Sequence, residues 1–268
     1  MASAVLDLKR QPGFGPIAWV CLAALYAPIL VLVVFSFNDN RSVTLWTEFS
    51  WRWYAAALAN RQIQDAALVS LQVALTATLV ATTFATMAAL ATTRTAPFRG
   101  AALAYAVINQ PLMVPEIVTA IATLSFFALI KLTIGLQLGL GYLIIAHTVF
   151  CIPFAYMPIR ARLEDMDLTL EQAAADLYAT PAQAFRRVTL PLLVPGILAG
   201  AMLAFVVSLD DVIITLLVAG PGETTLPIYI LGQIRRGLTP EINAVSTIFL
   251  AISVLLVTLF FLFARARR

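Results

Sequence analysis

The sequence predicts an all-α protein whose helices cross a lipid bilayer. Hydrophobic residues fill 61% of its 268 positions and charged residues 12%, where a soluble domain carries about 25% charged residues. Mean hydropathy is +0.92. The apolar residues also fall into six runs, each near the roughly 20 helical residues that span a hydrocarbon core about 30 Å thick. In lipid such a segment has to be helical, because the helix bonds all its backbone polar groups within itself.

The first run covers residues 17–37 and the second 66–91, and neither contains a charge. The third, 101–130, holds Pro111, Pro115 and Glu116. It is expected to be one bent helix whose freed backbone groups are satisfied by neighbouring helices. The fourth is 140–159, the fifth 192–219 with Asp210 and Asp211 inside it, and the sixth 242–264. There is no internal repeat or low-complexity tract, so residues 1–268 read as a single membrane domain.

Lys and Arg concentrate in short cytoplasmic loops. With the N-terminus inside, the cytoplasmic segments hold 11 of them: Lys9, Arg10, Arg94, Arg99, Arg160, Arg162, Arg186, Arg187, Arg265, Arg267 and Arg268. The outer loops hold 6: Arg41, Arg52, Arg61, Lys131, Arg235 and Arg236. Both termini are therefore placed in the cytoplasm. The net charge of +3 follows from this topology and implies no nucleic-acid partner. Lys9-Arg10 precedes an apolar run longer than a signal-peptide core, which reads as an uncleaved signal anchor. Cys21 and Cys151 sit in separate spans, where a thiol acts as a small hydrophobe and reports no redox compartment.

Three polar insertions interrupt the apolar pattern. The outer loop 38–65 carries Trp46, Trp51, Trp53 and Tyr54, which suit a membrane–water interface; the alternative is direct contact with a substrate. The stretch 220–227 is rich in turn formers and is either the mouth of a pore or a plain connection. The third insertion, about 160–190, is the informative one. Leu170, Ala173, Ala174 and Leu177 recur at helical spacing, with Glu164, Asp165, Asp167, Glu171 and Asp176 elsewhere. A short amphipathic helix follows. Thr180-Pro181-Ala182-Gln183 then starts a second one, with Thr180 as N-cap, Pro181 at the first helical position and Gln183 completing a capping box. This second helix is expected to carry Phe185, Arg186 and Arg187 and to end before Pro191.

An apolar helix face on a membrane protein's loop has to be covered by its own spans or by a partner. No phosphate-binding loop exists in the sequence, whose only lysines are Lys9 and Lys131, so the chain has no ATPase site of its own. It also lacks a metal-binding set or a Ser/His/Asp arrangement. His147, the only histidine, lies mid-span and reads as a helix–helix hydrogen bonder in preference to a proton relay. These absences speak against an enzyme.

Residues 172–191 resemble the cytoplasmic signature loop of ABC importer permeases, in which Glu-Ala-Ala is followed by Gly and then by Ile-x-Leu-Pro. Here these are Gln172-Ala173-Ala174, Tyr178 and Val188-Thr189-Leu190-Pro191. Two positions depart. Gln172 replaces the Glu, although Glu171 is adjacent. Tyr178 replaces the Gly, whose freedom permits a left-handed turn that costs another residue about 1–2 kcal/mol. Tyr178 either takes a different turn or fills a pocket on a partner.

The likeness extends to Phe35-Ser36-Phe37-Asn38, Pro115-Glu116-Ile117-Val118-Thr119, Leu203 to Asp211, Gly220-Pro221-Gly222, Thr225-Leu226-Pro227 and Pro240 to Ala244. Together these resemble the second permease subunit of the spermidine/putrescine permeases. The resemblance implies a bacterial inner-membrane subunit of the type I importer fold, paired with a second permease. It also implies a dimer of ATP-binding subunits and an extracytoplasmic binding protein. ATP would be held by the partner, leaving this chain without a cofactor. The residues implied in coupling to the ATPase are Glu171, Gln172, Ala173, Ala174, Tyr178, Thr180, Pro181, Phe185, Leu190 and Pro191.

A carboxylate inside a span costs about 2.5–3.5 kcal/mol on insertion scales, so those retained usually face a cavity or a partner. Glu116, Asp210 and Asp211 qualify, and spaced carboxylates suit a pathway for polyamines, which are flexible cations. On a continuous helix Asp210 and Asp211 would lie about 100° apart and could not both face one pore. Glu116 follows Pro115 and has the alternative role of satisfying the bend. The expected function is half of a polyamine pathway driven by a separate ATPase. A permease for a different small solute, or a self-sufficient channel or carrier, are the competing readings; the last leaves the cytoplasmic helix pair unexplained.

Overall fold

A computed structural model describes residues 14–40, 45–95, 98–237 and 239–266. Lys9, Arg10, Arg41, Arg267 and Arg268, all used for orientation, lie outside them. The described residues form helices α1 (Phe14–Phe35), α2 (Arg52–Ala59), α3 (Arg61–Thr93), α4 (Ala101–Met113), α5 (Glu116–Ile134), α6 (Leu140–Glu164) and α7 (Thr169–Asp176). There follow α8 (Pro181–Ala184), a π-helical turn (Phe185–Thr189), α9 (Leu190–Asp210), α10 (Ile213–Val218), α11 (Leu226–Arg236) and α12 (Pro240–Ala266). Six of the helical segments are long and apolar enough to cross a membrane: Gly15–Phe35, Arg61–Thr93, Glu116–Ile134, Leu140–Glu164, Pro181–Asp210 and Pro240–Leu262.

Two expected spans are each broken in two. The run 101–130 is not one bent helix: Val114 is extended, with φ −102° and ψ 138°, and α5 restarts after Pro115. Proline's ring excludes the residue before it from helical geometry. The run 192–219 breaks at Asp211, which is also extended, with φ −62° and ψ 135°. No proline or glycine stands there. An Asp side chain that bonds nearby amides offers the backbone an alternative to the helix, and that alternative prevails. Conversely, the second helix of the cytoplasmic insertion does not end before Pro191. It continues through the π turn, where the Leu190 amide reaches back five residues to Phe185, and Pro191 falls in the first turn of α9. The π turn just before Pro191 already shifts the bonding register, and the helix absorbs the proline's missing N–H at that irregular turn instead of ending.

The described residues divide into two compact units, those within 1–60 and 233–250, and those within 61–232 and 251–268. In the first, Asn38 organises the loop after α1. Its Nδ2 donates to Leu45 O at 2.7 Å and its Oδ1 accepts the Thr47 amide at 3.0 Å. Phe37 packs on Phe49, Trp51 and Tyr54, with ring centroids 4.9–5.2 Å apart. Trp46 and Trp51 stay exposed, as rings at a membrane–water interface do.

The second unit is built on α3, α6 and α9, which pack on one another. Lipid gives no hydrophobic drive between helices, so close backbone approach by small residues has to supply the attraction. Helix α3 buries Ala66, Ser70, Ala74, Ala77, Ala81, Ala85 and Ala89 along one face. Helix α9 contributes Gly196 and Gly200, set against Pro158, Arg162 and Ala155 of α6. Tyr156, Ile159, Leu163 and Leu193 are fully buried between them. Ser70 also accepts the Leu226 amide at 2.7 Å, capping α11. That helix, like α2, lies in a stretch whose turn-forming and polar residues read as loop.

Candidate functional site

The three membrane carboxylates all stand at helix breaks. Glu116 is the first residue of α5, Asp210 the last of α9, and Asp211 lies between α9 and α10. Helices α5 and α10 pack together. Glu116 opens α5 and Asp211 stands just ahead of α10, at helix N-terminal ends where unpaired amides favour negative charge.

The 100° separation expected of Asp210 and Asp211 does not apply, because Asp211 is not helical. The two carboxylates have different surroundings. Asp210 is exposed on the chain, whereas Asp211 is 6% exposed. Asp211 Oδ1 accepts the Ile214 amide at 3.3 Å, and Oδ2 accepts both the Thr215 amide and its hydroxyl at 2.9 Å. Asp211 thus starts α10. The Thr215 hydroxyl, having donated to Asp211, accepts from His147 Nε2 at 3.0 Å. This leaves His147 Nδ1 to accept from Ser208 Oγ at 2.8 Å, so the bonds set the tautomer. His147 Nε2 is also 3.4 Å from Asp211 Oδ2. A single fully buried imidazole from α6 therefore holds both sides of the α9–α10 break. Ser208 and Thr215 were invisible as site residues, since one hydroxyl in an apolar run carries no signal.

At the other end of these helices lies the insertion. Asp167 accepts the Thr169 amide at 2.9 Å ahead of α7, and that bond holds its carboxyl below the usual carboxylate range. None of α7 is buried, and Leu170, Leu177 and Phe185 expose apolar surface. Tyr178 takes the left-handed turn itself, with φ 60°, and the residue is 96% exposed. Its amide bonds Ala175 O at 2.9 Å and the next amide, of Ala179, bonds Ala174 O at 3.0 Å. That pair is the usual glycine-type helix stop. Thr180 and Gln183 form both bonds of the capping box. Gln172 is exposed, while Glu171 turns inward to Arg94 Nε at 3.2 Å and Thr189 Oγ1 at 2.9 Å. Ala173 and Ala174 lie on α7 beside it, Pro181 begins α8, and Leu190 and Pro191 open α9.

Membrane-length helices, two broken expected spans bearing carboxylates, and an amphipathic helix pair at one end define a transport permease. The chain belongs to the family described as binding-protein-dependent transport system inner membrane component, whose model matches residues 81–267. It is a multi-pass inner-membrane protein. Among relatives, it is 39% identical over 266 residues to the putrescine transport system permease protein PotI of Escherichia coli (strain K12), covering 98% of this chain and 95% of that one. It is 36% identical over 241 residues to the spermidine/putrescine transport system permease protein PotC of Haemophilus influenzae, covering 90% and 92%. The fold matches that of a chain of a bacterial alginate ABC transporter with a TM-score of 0.71 at 18% identity, covering 93% and 90%.

Proposed function

We propose that this chain is one of two permease subunits of an ABC importer for polyamines, putrescine and spermidine among them. The observation that carries this reading is the 39% identity to a putrescine permease along almost the whole of both chains. The site chemistry supports it, since Glu116, Asp210 and Asp211 gather carboxylates at helix breaks where a flexible dication would need counter-charge. Asp210 is the residue that meets the substrate, because it alone is exposed and uncommitted to an α10 amide. Asp211 and Glu116 shape the path around it.

A dimer of ATP-binding subunits, which carries the ATP, docks on the uncovered face of α7 and α8 around Leu170, Ala174, Tyr178 and Phe185. An extracytoplasmic protein delivers the substrate at the opposite end. Both termini face the cytoplasm, in keeping with the excess of Lys and Arg on that side. The test is reconstitution with the partner subunits and binding protein in liposomes, with radiolabelled putrescine and spermidine against a panel of amino acids and sugars. ATP-dependent polyamine uptake is expected. Uptake of another solute alone, or polyamine uptake by this chain without the ATPase, would refute the reading. Labelling of a single cysteine added at the C-terminus tests the orientation.

A further inference from the structure

Glu171 lies on α7, which has no buried residue, yet its carboxylate is directed back into the chain. One oxygen, Oε1, accepts from Arg94 Nε at 3.2 Å and from Thr189 Oγ1 at 2.9 Å. Arg94 directly follows α3, with its amide bonded to Leu90 O at 2.9 Å. Thr189 is buried and closes the π turn that leads into α9. A single carboxylate therefore joins α7 to the ends of α3 and α9, the two helices that pack with α6, and α9 ends at its far side on the Asp210–Asp211 break.

The surroundings make this junction more than a surface ion pair. The Arg94 and Glu171 side chains are 15% and 25% exposed, so water screens them poorly. Arg94 Nη2 is buried with no hydrogen-bond partner, and Glu171 is its one counter-charge among the described residues. The Arg94–Glu171 bond is charge-assisted and directional, which suits it to carry displacement between elements. Besides its covalent connections, α7 has little else to grip the bundle.

We infer that Arg94, Glu171 and Thr189 form a positioning node that passes movement of α7 to α3 and α9, with Glu171 standing in for the acid absent at Gln172. Arg94 acts through Glu171 and touches neither substrate nor nucleotide. The inference rests on the ATPase-driven reading above. Without the node, α7 swivels on its flanking turns, and a nucleotide cycle in the partner leaves the membrane helices where they were.

The full complex in liposomes tests this, with co-purified ATPase subunit, ATP hydrolysis and putrescine uptake measured together. Arg94→Gln is expected to retain the ATPase subunit and its hydrolysis while putrescine molecules moved per ATP fall about tenfold, within the range of coupling energies between residues in contact. Glu171→Gln should lower the same ratio. The exchange Arg94→Glu with Glu171→Arg should recover most of it, which a loss of folding would not allow. An unchanged ratio in both single variants overturns the node. So does an exchange no better than the single variants, or a fall that only tracks loss of the ATPase subunit. A wild-type complex that moves putrescine without the ATPase subunit overturns the transport reading, and the node with it.

Discussion

Replacing Gly200 by Ala tests the packing on which the bundle depends. A Cβ at this position would lie 2.5 Å from the Ala155 carbonyl oxygen, 3.2 Å from its carbonyl carbon and 3.1 Å from Ile159 Cγ1. Ordinary carbon contacts lie at about 3.5–4.0 Å. The nearest obstacle is backbone in the middle of α6, so no rotamer change relieves the clash, and α9 has to move away by several tenths of an ångström. Overpacking of this kind costs about 1–3 kcal/mol, and the rigid obstacle puts the expected value near 2–3 kcal/mol. For a chain of this size that corresponds to a midpoint lower by about 4–12 °C. Helix separation would also stretch the Ser208–His147 bond, 2.8 Å in the native packing, and lower transport. The assay is thermal unfolding of the purified complex in detergent, with Gly15→Ala as control because nothing lies within 4 Å of a Cβ there. A Gly200→Ala protein as stable as the control would refute the close α6–α9 approach.

Asp211→Asn should destabilise by about 1–3 kcal/mol, since Asp211 accepts on both oxygens and an Asn keeps only one acceptor, so its NH2 must face either the Ile214 amide or the Thr215 amide and hydroxyl. Asp210→Asn should leave stability within about 0.5 kcal/mol, as exposed substitutions do, while lowering putrescine uptake; thermal unfolding and uptake separate the two residues. Tyr178→Gly should raise stability by about 1 kcal/mol by relieving the left-handed backbone at φ 60°, measured by the same unfolding assay. Asp167, held below the usual carboxylate range by the Thr169 amide, contributes local stability above the pKa of a free aspartate and loses it as pH falls through its own lower value. Carboxyl carbon NMR should show it titrating below free aspartate, and Thr169→Pro, which removes the amide, should abolish the difference.

Local patterns were legible along the chain. The apolar runs gave the spans, because membrane thickness sets a length that composition alone reveals. The amphipathic spacing gave α7, and the Thr180–Gln183 box gave the start of α8, because caps involve residues three apart. The break before Pro115 was half legible: proline announced a disturbance, and packing made it a complete interruption. The break at Asp211 was not legible, since it depends on a carboxylate choosing backbone amides over helix continuity in a setting that His147 and Thr215 complete.

What the amino-acid sequence determined by itself was therefore the class of protein: an all-α membrane permease with helices of bilayer length and a polar, amphipathic insertion between two of them. Tertiary structure alone decided which partners each acid meets. His147 meets Ser208 and Thr215 across 61 and 68 residues, and Arg94 meets Glu171 across 77. No periodicity encodes such distances. The reason is physical: hydrophobic length and helix capping act within a few turns, whereas the satisfaction of a buried charge depends on which helices the packing brings together. Glu171 shows the difference, for the sequence places it one residue from the signature position and the fold turns it toward Arg94.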